Sequence, residues 1–492
     1  MNVDILFVNI SGSEKKVYQD LSKEFSACEP PFWTILTAGY VRKQGCSVDF
    51  LDAAALNMDF DETISAIKDK NPRLLGIDVH GQQANCSSPL MVVTEEFVKK
   101  VKAELPEQPI CISGWHPSAL PERSLRDTGA DYLIQGEGFR VWADLGSGKN
   151  VENIPGLWRN IEGKIIKPSL LSENIRDLTA ELDEVAWDLV PWEEGNYRAF
   201  NWMCLADFSQ REHYVSLYTS LGCPYSCSFC AIQSKYGERK IRYWSPEWVL
   251  RQLDILVREC GICHVNLVDD LFIFNPEHYM PIAKGLLERE YKLNICAFAR
   301  VDAVDRMPVE ELDILKRAGF NWFKLGIESP VKKVMANVNK NQYAKDDIRR
   351  VVKKIHDAGI DMCANFIFGL PGDDYDSMEE NFEFAMELNP VFPSLFCAMA
   401  VPGSQLYEDA LKNGMPLPET WLGYAQQGYD FLPLPTEFLT AAQVLEFRDY
   451  AFTAYYDNPR YLHMIETKFS KEAREHIESM NSIRLKRKLL GD

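Results

Sequence analysis

The sequence predicts an α/β protein built from two parallel sheets in tandem: an N-terminal doubly wound sheet, then a partial (β/α)6 barrel, followed by a helical C-terminal region. Three observations carry this. Short continuous apolar runs alternate with helix-like segments through the first 140 residues, as strands buried on both faces and joined by crossover helices must. The alternation resumes at residue 213 as six βα units, which suits a partial TIM-like barrel with active residues at the carboxyl ends of its strands. Residues 404–492 lose the alternation and read as helical and aromatic-rich.

In chain order, VDILFVN (3–9) is a strand, and FWTILTAGYVRKQG (32–45) is a helix stopping at Gly45. SVDFLDA (47–53) is a strand, and DETISAIKDK (61–70) a helix with Asp61 available as its cap. RLLGIDVH (73–80), PICISGWH (109–116) and ADYLIQGEG (130–138) are strands, with LMVVTEEFVKKVKAEL (90–105) a helix. IPGLWRNIEGKIIKP (154–168) is a small hairpin closed near Glu162-Gly163, and LDEVAWDLVPW (182–192) an apolar linker that packs between domains. The barrel strands are YVSLYTS (214–220), HVNLVDD (264–270), NICAFAR (294–300), WFKLGIES (322–329), MCANFIFG (362–369) and SLFCAMAV (394–401). Helices such as PEWVLRQLDILVREC (246–260) and PVEELDILKRAG (308–319) lie between them. The expected division is 1–145, 146–212 (linker and hairpin), 213–403 (barrel) and 404–492 (helical).

A formal net charge of −19 argues against a surface that coats nucleic acid, which demands clustered Lys and Arg. The basic run RLKRKLL (484–490) reads as a solvated helix end. No stretch approaches the roughly 20 apolar residues of a membrane span, and MNVDILFVNISG (1–12) has too short an apolar run for a signal peptide. The expected compartment is the cytoplasm, where thiols stay reduced. Most of the thirteen cysteines are spaced like small core residues.

Three are not. LGCPYSCSFCAIQ (221–233) crowds Cys223, Cys227 and Cys230 into one loop after the first barrel strand. A structural zinc site wants four ligands, usually in paired C-x2-C units. Cys260 and Cys263 form such a pair, CGIC, but are expected at the opposite end of the barrel. An iron–sulfur cluster is normally held by four thiolates; with three, one iron keeps an open position, which is where chemistry occurs.

The C-x3-C-x-aromatic-C pattern of Cys223, Cys227, Phe229 and Cys230 resembles the signature of radical S-adenosylmethionine enzymes. The resemblance implies a 4Fe-4S cluster held by the three cysteines, whose unique iron chelates the amino and carboxylate groups of S-adenosylmethionine. It implies Phe229 as the adenine neighbour, Asp269 and Asp270 at the methionine amino group, Arg300 at its carboxylate, and Glu328 and Ser329 at the ribose. NFIFGLPGD (365–373) resembles the family's G-x-I-x-G-x-x-G-E element and keeps Ile367, Gly369 and Gly372, with Asn365 and Asp373 as departures.

Residues 1–140 resemble the Rossmann-like cobalamin-binding domain that precedes the barrel in one large subset. Loops at the strand ends supply neutral hydrogen-bonding groups suited to corrinoid amides: Gln82, Gln83, Asn85 and Ser87; Gly114, Trp115 and His116; and Gly136, Glu137 and Gly138. DVHGQQ (78–83) partly matches the D-x-H-x-x-G cobalt-ligand motif but follows the wrong strand, so His80 is not expected to ligate cobalt.

The resemblance implies a cobalamin-dependent radical enzyme of the class B methyltransferase type, methylating an unactivated carbon of a small molecule through methylcobalamin and a 5′-deoxyadenosyl radical. It also implies a low-potential electron donor such as flavodoxin or ferredoxin. The alternative is ring closure or oxidation without methyl transfer, as in anaerobic Mg-protoporphyrin ester cyclases. Methylthiotransferases are disfavoured, because Cys28, Cys46, Cys86 and Cys111 fall on separate segments and the chain is acidic.

Overall fold

A computed structural model describes residues 3–22, 24–340 and 342–492. β1 (Ile5–Asn9), β2 (Val48–Asp52), β3 (Leu74–Val79), β4 (Ile110–Gly114) and β5 (Tyr132–Ile134) form a parallel sheet in the order β2-β1-β3-β4-β5. Their side chains are almost wholly buried on both faces, which is why these stretches read as unbroken apolar runs. β6 (Leu157–Ile161) and β7 (Lys164–Ile166) form the expected hairpin, with Glu162 and Gly163 both at positive φ. The hairpin is not an independent linker, however. β6 pairs antiparallel with β5 and covers what would be an open edge, so the sheet runs on to residue 166.

Three local details differ from the sequence reading. The helix after β2 spans Phe60–Lys70 and is capped by Asp59, not Asp61. Asp59 accepts from the Glu62 amide while Glu62 reaches back to the Asp59 amide, a reciprocal pair that Asp61 cannot make. The helix after β3 begins at Ala84, so Asn85, Ser87 and Ser88 lie in its first turns and not in a free loop. Trp115–Ala119 is also helical.

β8 (Tyr214–Leu217) opens the second sheet, and β9 (Ser220–Leu221) and β10 (Arg242–Tyr243) form a separate two-stranded ribbon. β11 (His264–Leu267), β12 (Asn294–Arg300), β13 (Phe320–Glu328), β14 (Asp361–Phe368) and β15 (Phe392–Cys397) follow β8 in sequential parallel order. Helix Pro246–Cys260 matches its expected span because both ends are specified: Ser245 accepts from the Trp248 amide, Pro246 opens the first turn, and Gly261 takes the left-handed exit.

Residues between the sheets hold them together. The Trp187 indole donates to Gln252 of the barrel helix at 2.9 Å, and the Ala186 amide donates to Ile35 of helix Phe32–Lys43. Trp202 closes the amino end of the barrel, edge-on to Trp322 at 5.1 Å and stacked on Phe392 at 5.5 Å. The C-terminal helices cover the β15 edge: Tyr455, Tyr456, Tyr461 and Arg448 all donate to carbonyls of residues 390–395. Gln426 completes the cover, its amide oxygen accepting from the Cys397 amide and its nitrogen donating to the Cys397 carbonyl. In the basic run Arg484, Lys486 and Lys488 are exposed as expected, but Arg487 is not. Arg487 is buried, paired with Asp449 at 2.8 Å and donating to the Gln426 and Gly428 carbonyls.

Candidate active site

The cysteine loop leaves β9 at the carboxyl end of the barrel. Gly222 sits at φ +95°, and a Cβ there would collide with the Lys240 carbonyl, so glycine alone lets the chain pass beneath the ribbon. Cys223, Cys227 and Cys230 are free thiols with partial exposure. The loop is pinned from three sides. The Ser228 amide donates to Val338, the Leu406 amide donates to Ser228, and Gln233 donates to the Cys223 carbonyl. Burial pushes the Cys223 thiol up to about 11 and raises Cys230 as well; metal binding would replace those protons.

Beside the thiols, Ser228 Oγ, Gln233 Oε1 and Tyr236 Oη are buried without a hydrogen-bond partner. Buried polar atoms are rarely left so unless a ligand meets them. Three free thiols on one loop, next to polar atoms lacking partners, fit a cluster that takes three cysteines and leaves one iron for a small molecule. Cys260 and Cys263 do not join them: the Cys263 thiol lies at the Glu212 and His213 carbonyls, ahead of β8, at the barrel's other end.

The strand-end residues divide. Arg300 Nη1 lies 4.0 Å from Cys227 Sγ, with its guanidinium over the Tyr225 ring at 3.6 Å and held by Asp302 at 2.9 Å and Gln342 at 3.0 Å. Asp270 accepts from the Gly222 amide at 2.9 Å, and burial pushes it up to about 7. Phe229 packs against the apolar clusters around Val331 and Leu406. These three line the thiol loop. Asp269 instead turns away: it accepts from the backbone and hydroxyl groups of Thr219 and Ser220 and ties the end of β11 to the start of β9. Glu328, at φ +61°, is paired with buried Lys340 at 2.5 Å, and the Ser329 hydroxyl accepts from the Val331 amide. Gly369 and Gly372 both sit at positive φ, where Cβ atoms would meet Val444 and Asn337.

On the facing sheet most expected contacts are engaged within the protein. Ser87 donates to the Val79 carbonyl and accepts from the His116 amide, and Ser88 meets His116 Nδ1 at 2.8 Å. Burial holds His116 down to about 3. Glu137 is ion-paired with Arg242 of the ribbon. Gly136 donates to Ser118 Oγ, Gly138 begins the next helix, and Gly114 lies too close to Val79 for any side chain. Gln82 reaches Glu29 at 2.7 Å. Gln83, Asn85 and Cys86 keep accessible surface. Burial raises the Cys86 thiol, and its neighbour Gln82 meets Tyr214 and Tyr218 of the barrel, so this loop borders the space between the domains. Neutral, uncommitted groups facing that space fit a corrinoid better than a charged ligand.

Two residues escaped the sequence reading. Lys235, five positions after Cys230, lies between Trp33 (3.4 Å to the ring centroid) and Trp115 (5.2 Å). The Trp115 indole can only donate, and it meets His80 Nε2 at 2.9 Å. The imidazole proton is therefore on Nδ1, 2.9 Å from Lys235 Nζ, which must accept it as a neutral amine. Burial agrees, lowering Lys235 to about 7. Both nitrogens of His80 are thus taken, and it has no lone pair for cobalt. Nothing in the local sequence signals this cluster, because its members come from four segments. The second residue, Lys324, lies inside the barrel and had a signal: a lysine in the middle of a strand otherwise buried on both faces.

Comparison with known proteins agrees with this geometry. Residues 217–385 match the radical SAM superfamily, and residues 19–145 the B12 binding domain. An uncharacterized methyltransferase of Pyrococcus horikoshii is 25% identical over 442 residues, covering 88% of this chain and 89% of that protein. The anaerobic magnesium-protoporphyrin IX monomethyl ester cyclase of Rubrivivax gelatinosus is 22% identical over 404 residues, 80% of this chain and 68% of the cyclase. The radical S-adenosylmethionine methyltransferase TsrM of Kitasatospora setae, solved with cobalamin and a 4Fe-4S cluster bound, superposes with a TM-score of 0.71 at 15% identity, over 98% of this chain and 99% of TsrM.

Proposed function

We propose that this chain, which joins a radical SAM domain to a B12-binding domain and is homologous to cobalamin-dependent radical SAM methyltransferases, methylates an unactivated carbon of a small molecule. The observation that carries the reading is the pinned loop of three free thiols at a barrel mouth that faces a second sheet's strand ends. Cys223, Cys227 and Cys230 would hold a 4Fe-4S cluster, and Asp270, Arg300, Phe229, Gly369 and Gly372 would border S-adenosylmethionine, with Asp269, Glu328 and Ser329 holding the strand ends behind them. Gln83 and Asn85 would meet a corrinoid directly, on a frame made rigid by Gln82, Ser87, Gly114, Trp115, His116, Gly136, Glu137 and Gly138. When bound, these cofactors supply hydrogen-atom removal and methyl transfer.

The chain's own contribution is placement and exclusion. Arg300 sets a fixed positive charge beside Cys227, where an anionic cluster and a carboxylate need it. Trp33 and Trp115 seal neutral Lys235 from water and so close the interdomain side of the site. A low-potential flavodoxin or ferredoxin would supply electrons, and the cytoplasm is the compartment that suits the free thiols. The chain has no helix among the described residues long and apolar enough to cross a membrane. Ring closure without methyl transfer has less support.

The test is anaerobic reconstitution with iron, sulfide and hydroxocobalamin, followed by product analysis with methyl-labelled S-adenosylmethionine. Reductant-dependent 5′-deoxyadenosine together with labelled methyl in the product is the expected outcome. Deoxyadenosine with no methyl transfer leaves the cyclase reading, and zinc in place of iron removes both.

A further inference from the structure

We infer that the floor of the barrel lumen is an anion site and that the substrate carries a carboxylate, seated on Lys324. The location rests on the function proposed above, since a lumen below the thiol loop is a substrate chamber only if the chemistry occurs there.

Lys324 projects inward from β13, between Phe298 of β12 and Cys363 of β14 in register, and is only 7% exposed. The other two deeply buried lysines are accounted for: Lys340 is paired with Glu328, and Lys235 is neutral. Lys324 makes one hydrogen bond, to Asn266 Oδ1 at 3.1 Å, and faces the rings of Phe298 (4.8 Å), Phe200 (5.5 Å) and Trp202 (5.7 Å). Among the described residues no carboxylate lies within ion-pair distance of it. Glu29 acts on it only at longer range, and the Glu29 carboxylate already accepts from Ser216 and Gln82. An ammonium has three N–H groups, and a buried one without a counter-ion is costly. Ring faces offset part of that cost but leave two donors unmet.

The lumen around Lys324 is not fully packed. Phe298, Asn365, Ser394 and Phe396, which point inward, keep partial exposure, while their outward neighbours on the same strands are buried. A cation at the closed end of a partly polar chamber calls for an anion at the far end of the substrate. One lysine without an arginine, and with Glu29 nearby, suits a single negative charge. A phosphate dianion would need more positive charge or a bidentate fork.

The test uses reconstituted full-length protein and a panel of straight-chain, aromatic and amino-acid carboxylates, each beside its primary amide, scored by equilibrium dialysis. Binders are expected among the acids, with the matched amides weaker by about tenfold or more. K324Q, which keeps a hydrogen bond toward Asn266 but drops the charge, is expected to lose that preference, and K324R to keep part of it. Iron content and a cooperative urea unfolding transition are expected to survive in K324Q and report that it is folded. Equal binding of acids and amides, an acid preference surviving in K324Q, or a panel in which no acid binds each overturns the inference. Failure of wild type to release deoxyadenosine would instead overturn the function, while the acid–amide comparison remains readable.

Discussion

At the end of β4, His116 is locked to Ser88 and Ser87, and at the end of β5 Glu137 is locked to Arg242. Across the interface, at the end of the β9 ribbon, three thiols make no cross-link and three neighbouring polar atoms have no partner. The two carboxyl edges are alike in topology but differ in what is left over: on the N-terminal edge His116 Nε2 and Arg242 Nε lack partners on side chains already held by other bonds, whereas beside the thiols the Ser228 and Tyr236 hydroxyls make no bond at all. Where side chains satisfy one another, a loop is scaffold. Where good ligands are held rigidly and left unsatisfied, it is a site, because burying an unmet polar group is tolerated only when something else meets it.

The comparison is broken most directly at the thiols. Replacing Cys223, Cys227 and Cys230 together by Ala is expected to abolish deoxyadenosine release while shifting stability by no more than about 1 kcal/mol, because partly exposed loop thiols contribute little to packing. Iron analysis and urea melts check both halves. The opposite pattern is expected on the scaffold side: E137A strands a buried Arg242, which costs about 3–5 kcal/mol, and urea unfolding should show the loss before any assay of chemistry does.

Lys235 sharpens the contrast through pH. Its folded pKa is about 7 against 10.5 for the free side chain. Between those values the unfolded chain holds a proton that the folded chain lacks, so stability rises with pH across that window. Below pH 7 both states are protonated and the burial penalty is fully present. K235M is expected to flatten the rise, read as the pH dependence of the urea midpoint between pH 7 and 10. A slope unchanged from wild type would mean that the amine is charged after all.

The smallest effect separates accessible from engaged residues on the N-terminal edge. Q83A is expected to leave stability within about 0.5 kcal/mol and to weaken hydroxocobalamin binding a few-fold, the loss of one hydrogen bond of about 1 kcal/mol. S87A should do the reverse, lowering stability with corrinoid affinity unchanged once the protein is folded. If S87A weakened corrinoid binding without destabilising, the division between scaffold and site would fail.

Strand positions were legible because burial on both faces leaves no room for polar residues, and the thiol loop because three cysteines in eight residues have few bland explanations. Legibility ended where partners are distant in sequence. Asp269 and Asp270 are adjacent and chemically identical, yet one ties two strands together and the other faces the thiols, a choice made by Thr219, Ser220 and Gly222. Arg487 looked solvated because Asp449 and the Gln426 carbonyl lie 38 and 61 positions away. The place of His80 in the chain argues against cobalt ligation, but the engagement of both its ring nitrogens by Trp115 and Lys235 required coordinates.

The Gln426 side chain imitates one residue of a seventh strand, filling the hydrogen-bonding row that β15 would otherwise present outward. The radical domain is therefore not a portable module. Cut out at its apparent borders, it would offer a sticky ladder to any neighbour and polymerise. Anyone recombining such enzymes to obtain new specificities must move the barrel and its C-terminal strap together.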